Sequence, residues 1–213
     1  MSIFRHARFE ISIAQSSALP PADGFEIAFA GRSNAGKSSA INTLTNHTRL
    51  AYVSKIPGRT QLLNFFRLPC GARLVDLPGY GYAAVPEKIR AQWAELIENY
   101  LKSRAALVGL VLMMDARRPF TGLDRQMIGW FLPSGRPIHV LLTKSDKLSR
   151  GAAQAALLKT RAALAAYGSR SGERLTAQLF SSLSKSGIEE CERVVGAWLA
   201  GDQGSGGGDR GSE

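Results

Sequence analysis

Three short runs carry residue types and spacings suited to one chemistry, the gripping of a nucleoside triphosphate. Gly31-Arg32-Ser33-Asn34-Ala35-Gly36-Lys37-Ser38 matches G-x-x-x-x-G-K-[ST] in full. Its glycines let backbone amides turn inward around phosphate oxygens. Lys37 can then reach the β- and γ-phosphates as a point charge, and the Ser38 hydroxyl can bind Mg²⁺. Asp76-Leu77-Pro78-Gly79 closes a second apolar run. A carboxylate there can hold Mg²⁺ through water, and the Gly79 amide can face a γ-phosphate. D-x-x-G is a weak signal alone; its weight comes from standing at a strand end after a phosphate loop. Thr143-Lys144-Ser145-Asp146 closes a third run. Asp146 can accept hydrogen bonds from guanine N1–H and the 2-amino group while the Lys144 stem lies along the purine face. Adenine lacks both donors and would leave a desolvated carboxylate unpaired, so this run favours GTP over ATP.

These runs need a frame that brings their ends together. FEIAFAG (25–31), LVGLVLMMD (107–115), IHVLLTK (138–144) and the less pure RLTAQLFSS (174–182) are continuous apolar stretches, the pattern of parallel strands covered on both faces. QLLNFFRL (61–68) and ARLVDLP (72–78), split by Pro69-Cys70-Gly71, read as a hairpin. Helical patterns alternate with the strands. SSAINTLTN follows the phosphate loop and offers a helix N-terminus to the anion. In VPEKIRAQWAELIENYLKSR, Trp93, Leu96, Ile97, Tyr100 and Leu101 share a face with Ile89, and Pro86 suits the first turn. Ser149 to Tyr167 reads as a helix stopped by Gly168, and Ser186 with Glu189 as a capping box for a last helix. The expected fold is a three-layer α/β/α P-loop arrangement, its sheet mostly parallel with one antiparallel hairpin strand. Such folds bind ligands at the carboxyl ends of their strands, where the polar residues that end these runs collect. Phe180-Ser181-Ser182 ends the last run, where a backbone amide would donate to guanine O6.

The 213 residues suit one domain, and 45% hydrophobic content supplies a core. The division expected is an N-terminal extension over 1–24, a nucleotide-binding domain over 25–200 and a disordered tail over 201–213. Within the extension, Phe9, Ile11 and Ile13 alternate like a short edge strand. The tail holds six glycines in 13 residues. No apolar stretch approaches the roughly 20 residues of a membrane helix, and the N-terminus lacks a secretory pattern. Cys70 and Cys191 make neither a disulfide framework nor a zinc set, which fits a cytoplasmic protein with reduced thiols. His6, His47 and His139 show no ligand spacing. Net charge is +10, an excess that favours polyanions, nucleic acid above all, although plain solubility is its simpler reading. Arg117-Arg118 after Asp115, and Lys147, Arg150, Lys159, Arg161 and Arg170, are either RNA-facing or ordinary solvated charge. Phe65, Phe66 and Tyr82 read as packing before partner surface.

Taken in order, the motifs are those of translation-factor-like GTPases. More narrowly, GRSNAGKSS, KIPGRTQLLNFF, LVDLPGYGYA, MDARRPF and LLTKSDKL resemble the EngB (YihA/YsxC) family of bacterial ribosome-assembly GTPases over about residues 8–200. The resemblance implies a single GTPase domain, Mg²⁺-dependent GTP and GDP binding, monomeric action without a membrane, and contact with the large ribosomal subunit precursor and its RNA. It also implies a role in cell division and septation. Residue by residue, it makes Gly31 to Ser38 the phosphate loop and Gly58-Arg59-Thr60-Gln61-Leu62 the first switch, with Thr60 the second Mg²⁺ hydroxyl beside Ser38 and Asp76. Asp76 to Gly79 become the second switch, Thr143 to Asp146 the guanine motif, and Phe180 to Ser182 the last base loop. Residues around 50–60 and 80–85 are the expected moving parts.

Many relatives place a glutamine after D-x-x-G to orient the attacking water; here Tyr80 stands there and cannot do so. Unassisted turnover is therefore expected near ~10⁻⁴ per second, with Lys37, Thr60, Gly79 and Asn34 as the catalytic set. Asn34 resembles an asparagine that ligates K⁺ in related GTPases, a cation that would neutralise phosphate charge; alternatively it only holds the loop through local hydrogen bonds. Two rival functions are an RNA-binding scaffold that keeps guanine nucleotide without significant hydrolysis, and a P-loop ATPase acting on a metabolite.

Overall fold

The computed structural model describes residues 2–51, 62–81, 87–167 and 174–201. The described residues hold seven strands: β1 (Arg8–Ile13), β2 (Glu26–Gly31), β3 (Leu63–Arg67), β4 (Arg73–Asp76), β5 (Leu107–Asp115), β6 (Ile138–Thr143) and β7 (Leu175–Leu179). Five α-helices connect or follow them: α1 (Lys37–Thr45), α2 (Glu87–Ser103), α3 (Gly122–Phe131), α4 (Arg150–Ala165) and α5 (Ile188–Gly201). The strands form one sheet in the order β1-β3-β4-β2-β5-β6-β7. β2 runs parallel to β4 and β5, β5 to β6, and β6 to β7. β3 is antiparallel to both of its neighbours, so it is the one strand running against the rest, as the hairpin pattern required.

The continuous apolar runs are buried along their length because both faces are covered. β2, β4 and β6 are buried at every residue, and β5 at all but Val108. On one face Leu96, Ile97 and Leu101 of α2, Ile128 and Phe131 of α3 and Leu157 of α4 pack onto Ala28, Leu110 and Val140. On the other, Ile41 and Leu44 of α1 and Cys191 and Val195 of α5 pack onto Ile27, Val111 and Leu141. That is the three-layer arrangement expected from the alternation of runs. Phe65 and Phe66 are core residues, and Tyr82 lies outside the described residues.

Three local departures have physical causes. Alternation in β1 is broken by a bulge between Phe9 and Ile11, which leaves both exposed and Ile13 buried. Ahead of β1, Phe4 is fully buried and meets Phe29 edge-on at 6.0 Å, so core begins well before residue 25. At the last helix, Ser186 bridges to Ser181 and Gly187, at φ +83°, comes between it and Ile188. The helix thus starts too late for Ser186 to cap it. α4 begins on Ser149, whose Oγ accepts from the Ala152 amide at 3.3 Å; Gly168, its expected stop, lies outside the described residues, as do 202–213. At the amino ends of the strands a buried ionic cluster holds the frame. Glu26 accepts from Arg104 Nε at 2.9 Å and the Tyr100 hydroxyl at 3.0 Å, and Arg73 donates to Glu10 at 2.9 Å.

Candidate functional site

All polar termini of the parallel strands emerge at the opposite, carboxyl edge. β2 ends on Gly31 and hands over to the phosphate loop, and α1 opens on Lys37. Gly36 is left-handed at φ +89°, and a Cβ there would meet Thr143 Cβ at 3.6 Å, so the loop folds back on the end of β6. Asn34 also takes a left-handed backbone at φ 63°. Lys37 Nζ forms an ion pair with Asp76 Oδ1, both largely buried, which joins the loop to the end of β4. Gly79 lies beside the loop too, since its Cβ position is 3.6 Å from the Ser33 amide nitrogen.

The β6 end clamps the loop from the other side. Thr143 Oγ1 donates to the Ala35 carbonyl and lies 3.1 Å from Met114 O. Lys144, left-handed at φ 56°, donates through Nζ to the Asn34 carbonyl at 2.5 Å. The same ammonium lies 3.1 Å from Asp115 Oδ2, and Asp115 receives Arg117 Nε at 2.9 Å. The Arg117 guanidinium, with help from Lys144, holds the Asp115 carboxyl well below the usual carboxylate range. Asp115, Arg117 and Arg118 line, with Arg32 to Ala35 and Lys144, an open cleft of about 520 Å³ along the loop.

Asp146 is oriented from the last strand. Ser181 Oγ donates to Asp146 Oδ1 at 2.6 Å and accepts from the Ser184 amide at 3.1 Å. This hydroxyl, more than Lys147 beside it, lowers the Asp146 pKa and keeps the carboxylate an acceptor. Ser145 Oγ donates to Phe180 O at 3.0 Å, tying the two loops together. The Phe180 amide is committed to Leu142 O and that of Ser181 to Ser186 O. Among the described residues, Ser182 is the member of that trio whose amide no such backbone bond engages.

Lys37, Asp76, Gly79, Thr143 to Asp146 and Ser181 are thus gathered on one rim. Leu77 and Pro78 are buried beneath it, Leu77 through a backbone bond to Phe29 O at 2.9 Å. Of the expected first switch only Leu62 is described; Gly58, Arg59, Thr60 and Gln61 lie outside the described residues. Two acids in the neighbourhood were not assigned a site role from the sequence. Asp115 enters the sequence reading only as the strand-end residue before Arg117-Arg118. Asp124, to which the partly buried Tyr80 hydroxyl donates at 3.0 Å, offers only the T-x-x-D pattern of Thr121 to Asp124 as a signal.

The donor set suits Mg²⁺. Ser38 opens α1 and Asp76 ends β4, one hydroxyl and one carboxylate, while no three His, Cys, Asp or Glu side chains cluster among the described residues. One hydroxyl and one carboxylate are donors that a hard cation arriving with phosphates and keeping several waters can use.

The family described as 50S ribosome-binding GTPase matches residues 26–144, more than half of the chain. A protein of Azoarcus sp. (strain BH72), named "Probable GTP-binding protein EngB", is 72% identical over 199 residues, 93% of this chain and 94% of that one. Similarly named proteins of Methylobacillus flagellatus and Neisseria meningitidis serogroup B are 57% and 54% identical, each over 93% of this chain and 94% of their own. Among solved structures, one titled a probable GTP-binding protein engB is 20% identical with a TM-score of 0.67, over 83% of this chain and 99% of that one. Era in complex with MgGDPNP and a 16S ribosomal RNA fragment is 19% identical with a TM-score of 0.62, over 89% and 59%. These two show a shared fold.

Proposed function

The chain belongs to the EngB family of GTP-binding proteins and is a GTPase, and on that premise we propose that it is a Mg²⁺-dependent switch that assists assembly of the large ribosomal subunit. The family resemblance also implies a role in cell division and septation. One observation carries the reading: Lys37 with Asp76, and Asp146 with Ser181, stand on the same rim of the sheet. Support for the large subunit comes from the matching family's description, while the +10 charge suits a polyanionic partner of any kind.

In this reading Asp146 accepts from the two guanine donors, held for that purpose by Ser181, and the Ser182 amide faces O6. A triphosphate offers Lys37 a denser anion than Asp76, so the ammonium would pass to the β- and γ-phosphates and leave Asp76 free to help hold Mg²⁺. Ser38, Asp76 and Thr60 would hold Mg²⁺, which supplies neutralisation of charge on the β- and γ-oxygens. Gly79 donates its amide to the γ-phosphate, and hydrolysis removes that acceptor and loosens the second switch. Water attacks in line, but Tyr80 gives its hydroxyl to Asp124 and leaves that water unoriented. Turnover alone is accordingly slow, about 10⁻⁴ per second, until the ribosomal particle supplies what is missing. Asn34 lines the cleft beside Lys144, where its carboxamide can serve a K⁺ ion. Equal hydrolysis rates in matched KCl and NaCl buffers would remove that ion from the scheme.

Co-sedimentation with large-subunit precursors, in GDP and in a non-hydrolysable GTP analogue across a salt series, tests the whole. Binding should require the analogue and weaken steeply with salt. Binding indifferent to the nucleotide rejects the switch. The committed Tyr80 hydroxyl also favours the scaffold reading, which single-turnover hydrolysis with added particles separates: a scaffold gains no rate.

A further inference from the structure

Asp124 stands in the first turn of α3, outside every motif above, and is fully buried. A buried carboxylate must be matched by donors, and four lie around it. Two belong to the helix, both on Oδ2: the Thr121 amide at 2.8 Å, one half of a capping box, and Thr121 Oγ1 at 2.7 Å. The other two come from the nucleotide rim. The Tyr80 hydroxyl, partly buried and with its pKa pushed well above the ordinary phenol value by desolvation and the Asp124 charge, donates to Oδ1 at 3.0 Å. Arg32 Nε, buried and without a hydrogen-bond partner, is 3.6 Å from Oδ2.

Arg32 and Tyr80 also meet through the backbone. They form a parallel bridge, and the Ser33 amide donates to Tyr80 O at 2.7 Å. Phosphate loop, second switch and α3 therefore close a ring through Ser33, Tyr80, Asp124 and Arg32. Gly81 follows Tyr80 at φ +85°, a backbone conformation that glycine adopts without strain, with its Cβ position 2.9 Å from Leu123 Cδ1.

We infer that Asp124 is a positioning residue that couples the phosphate loop to the second switch, holding Tyr80 so that the preceding Gly79 amide stands where a γ-phosphate can receive it. The inference rests on the Gly79 contact proposed above. Since GDP offers no γ-phosphate, the ring acts on GTP affinity and leaves GDP affinity aside. Asp124 thereby contributes to the distinction between the two nucleotides without touching either.

The test is the ratio of dissociation constants for a non-hydrolysable GTP analogue and GDP in the full chain. Tyr80→Phe should weaken the analogue about fivefold and Asp124→Asn about tenfold, with GDP within twofold of wild type. The double variant should be no worse than Asp124→Asn, since both changes cut the same ring. Thr121→Ala disturbs the cap but spares Tyr80 and Arg32, so it should lower the Tm and keep the wild-type ratio. Equal shifts for both nucleotides, an unchanged ratio, or a Thr121→Ala ratio that moves as far as that of Asp124→Asn would each overturn the inference. Should Asp124→Asn fail to fold, Tyr80→Phe decides alone. Amide exchange of wild-type Gly79 in the analogue and in GDP tests the premise separately: equal protection removes the γ-phosphate contact and the inference with it.

Discussion

On the proposed reading nucleotide choice turns on Asp146, and its setting explains how a carboxylate at the surface can be selective. Guanine presents two adjacent donors; a carboxylate accepts both, and charged acceptors make the stronger bonds. Asp146→Asn turns one acceptor into a donor, so GTP affinity should fall by about 100-fold or more while ATP affinity stays low, as parallel titrations with the two nucleotides would show. Ser181→Ala keeps the carboxylate but removes the 2.6 Å bond that aims it, and should cost about fivefold in the same titration. The spacing T-K-S-D made Asp146 legible in the sequence, because a strand end fixes which way such a run points. The Ser181 hydroxyl as its holder was not legible: the two are 35 residues apart, and only the adjacency of β6 and β7 brings them together. Asp124 escaped for the same reason, since its partner Tyr80 is 44 residues away.

At the scale of the element, runs that are apolar throughout announced themselves, and places where two elements touch did not. LVGLVLMMD reads as a buried strand, but nothing in it says why Gly109 interrupts it. The cause is α5. A Cβ on Gly109 would come within 2.6 Å of Trp198 Cζ3 and nearer still to Cε3, so the indole occupies the space a side chain would need. Gly109→Ala must push α5 off β5 or force Trp198 from its rotamer, at a cost of about 1–3 kcal/mol in urea unfolding. Adding Trp198→Leu should recover part of that loss; if the pair is simply additive, the close approach is not the cause. β1 teaches the converse. Its alternation of Phe9, Ile11 and Ile13 was read correctly as an edge strand, yet the bulge shifts the register midway, and a bulge leaves no mark in a hydrophobic pattern.

Over the whole molecule, polar groups divide by end: an ionic cluster locks the amino ends of the strands, and the nucleotide rim occupies the carboxyl ends. Between them lies one titratable group inside the sheet. His139 of β6 is 1% exposed, with Nε2 at 2.7 Å from Gln178 Oε1 and Nδ1 at 2.7 Å from Thr176 Oγ1. Gln178 gives its own amide to Gly187 O at 2.7 Å, so its oxygen is the acceptor and Nε2 carries the proton of a neutral ring. Burial in β6, with Arg161 and Arg193 adding positive charge nearby, pulls the pKa down from 6.5 to about 4. The unfolded chain then binds a proton near pH 6.5 that the folded chain refuses until about pH 4. The stabilisation is therefore whole above pH 6.5 and drains away as pH falls toward 4, by roughly 3 kcal/mol in all. Urea unfolding at pH 7.5 and pH 4.5 should show wild type losing about 2–3 kcal/mol more than His139→Gln between the two conditions. If the variant loses as much as wild type, the acid sensitivity belongs to the carboxylates at the two ends of the sheet and not to the histidine between them.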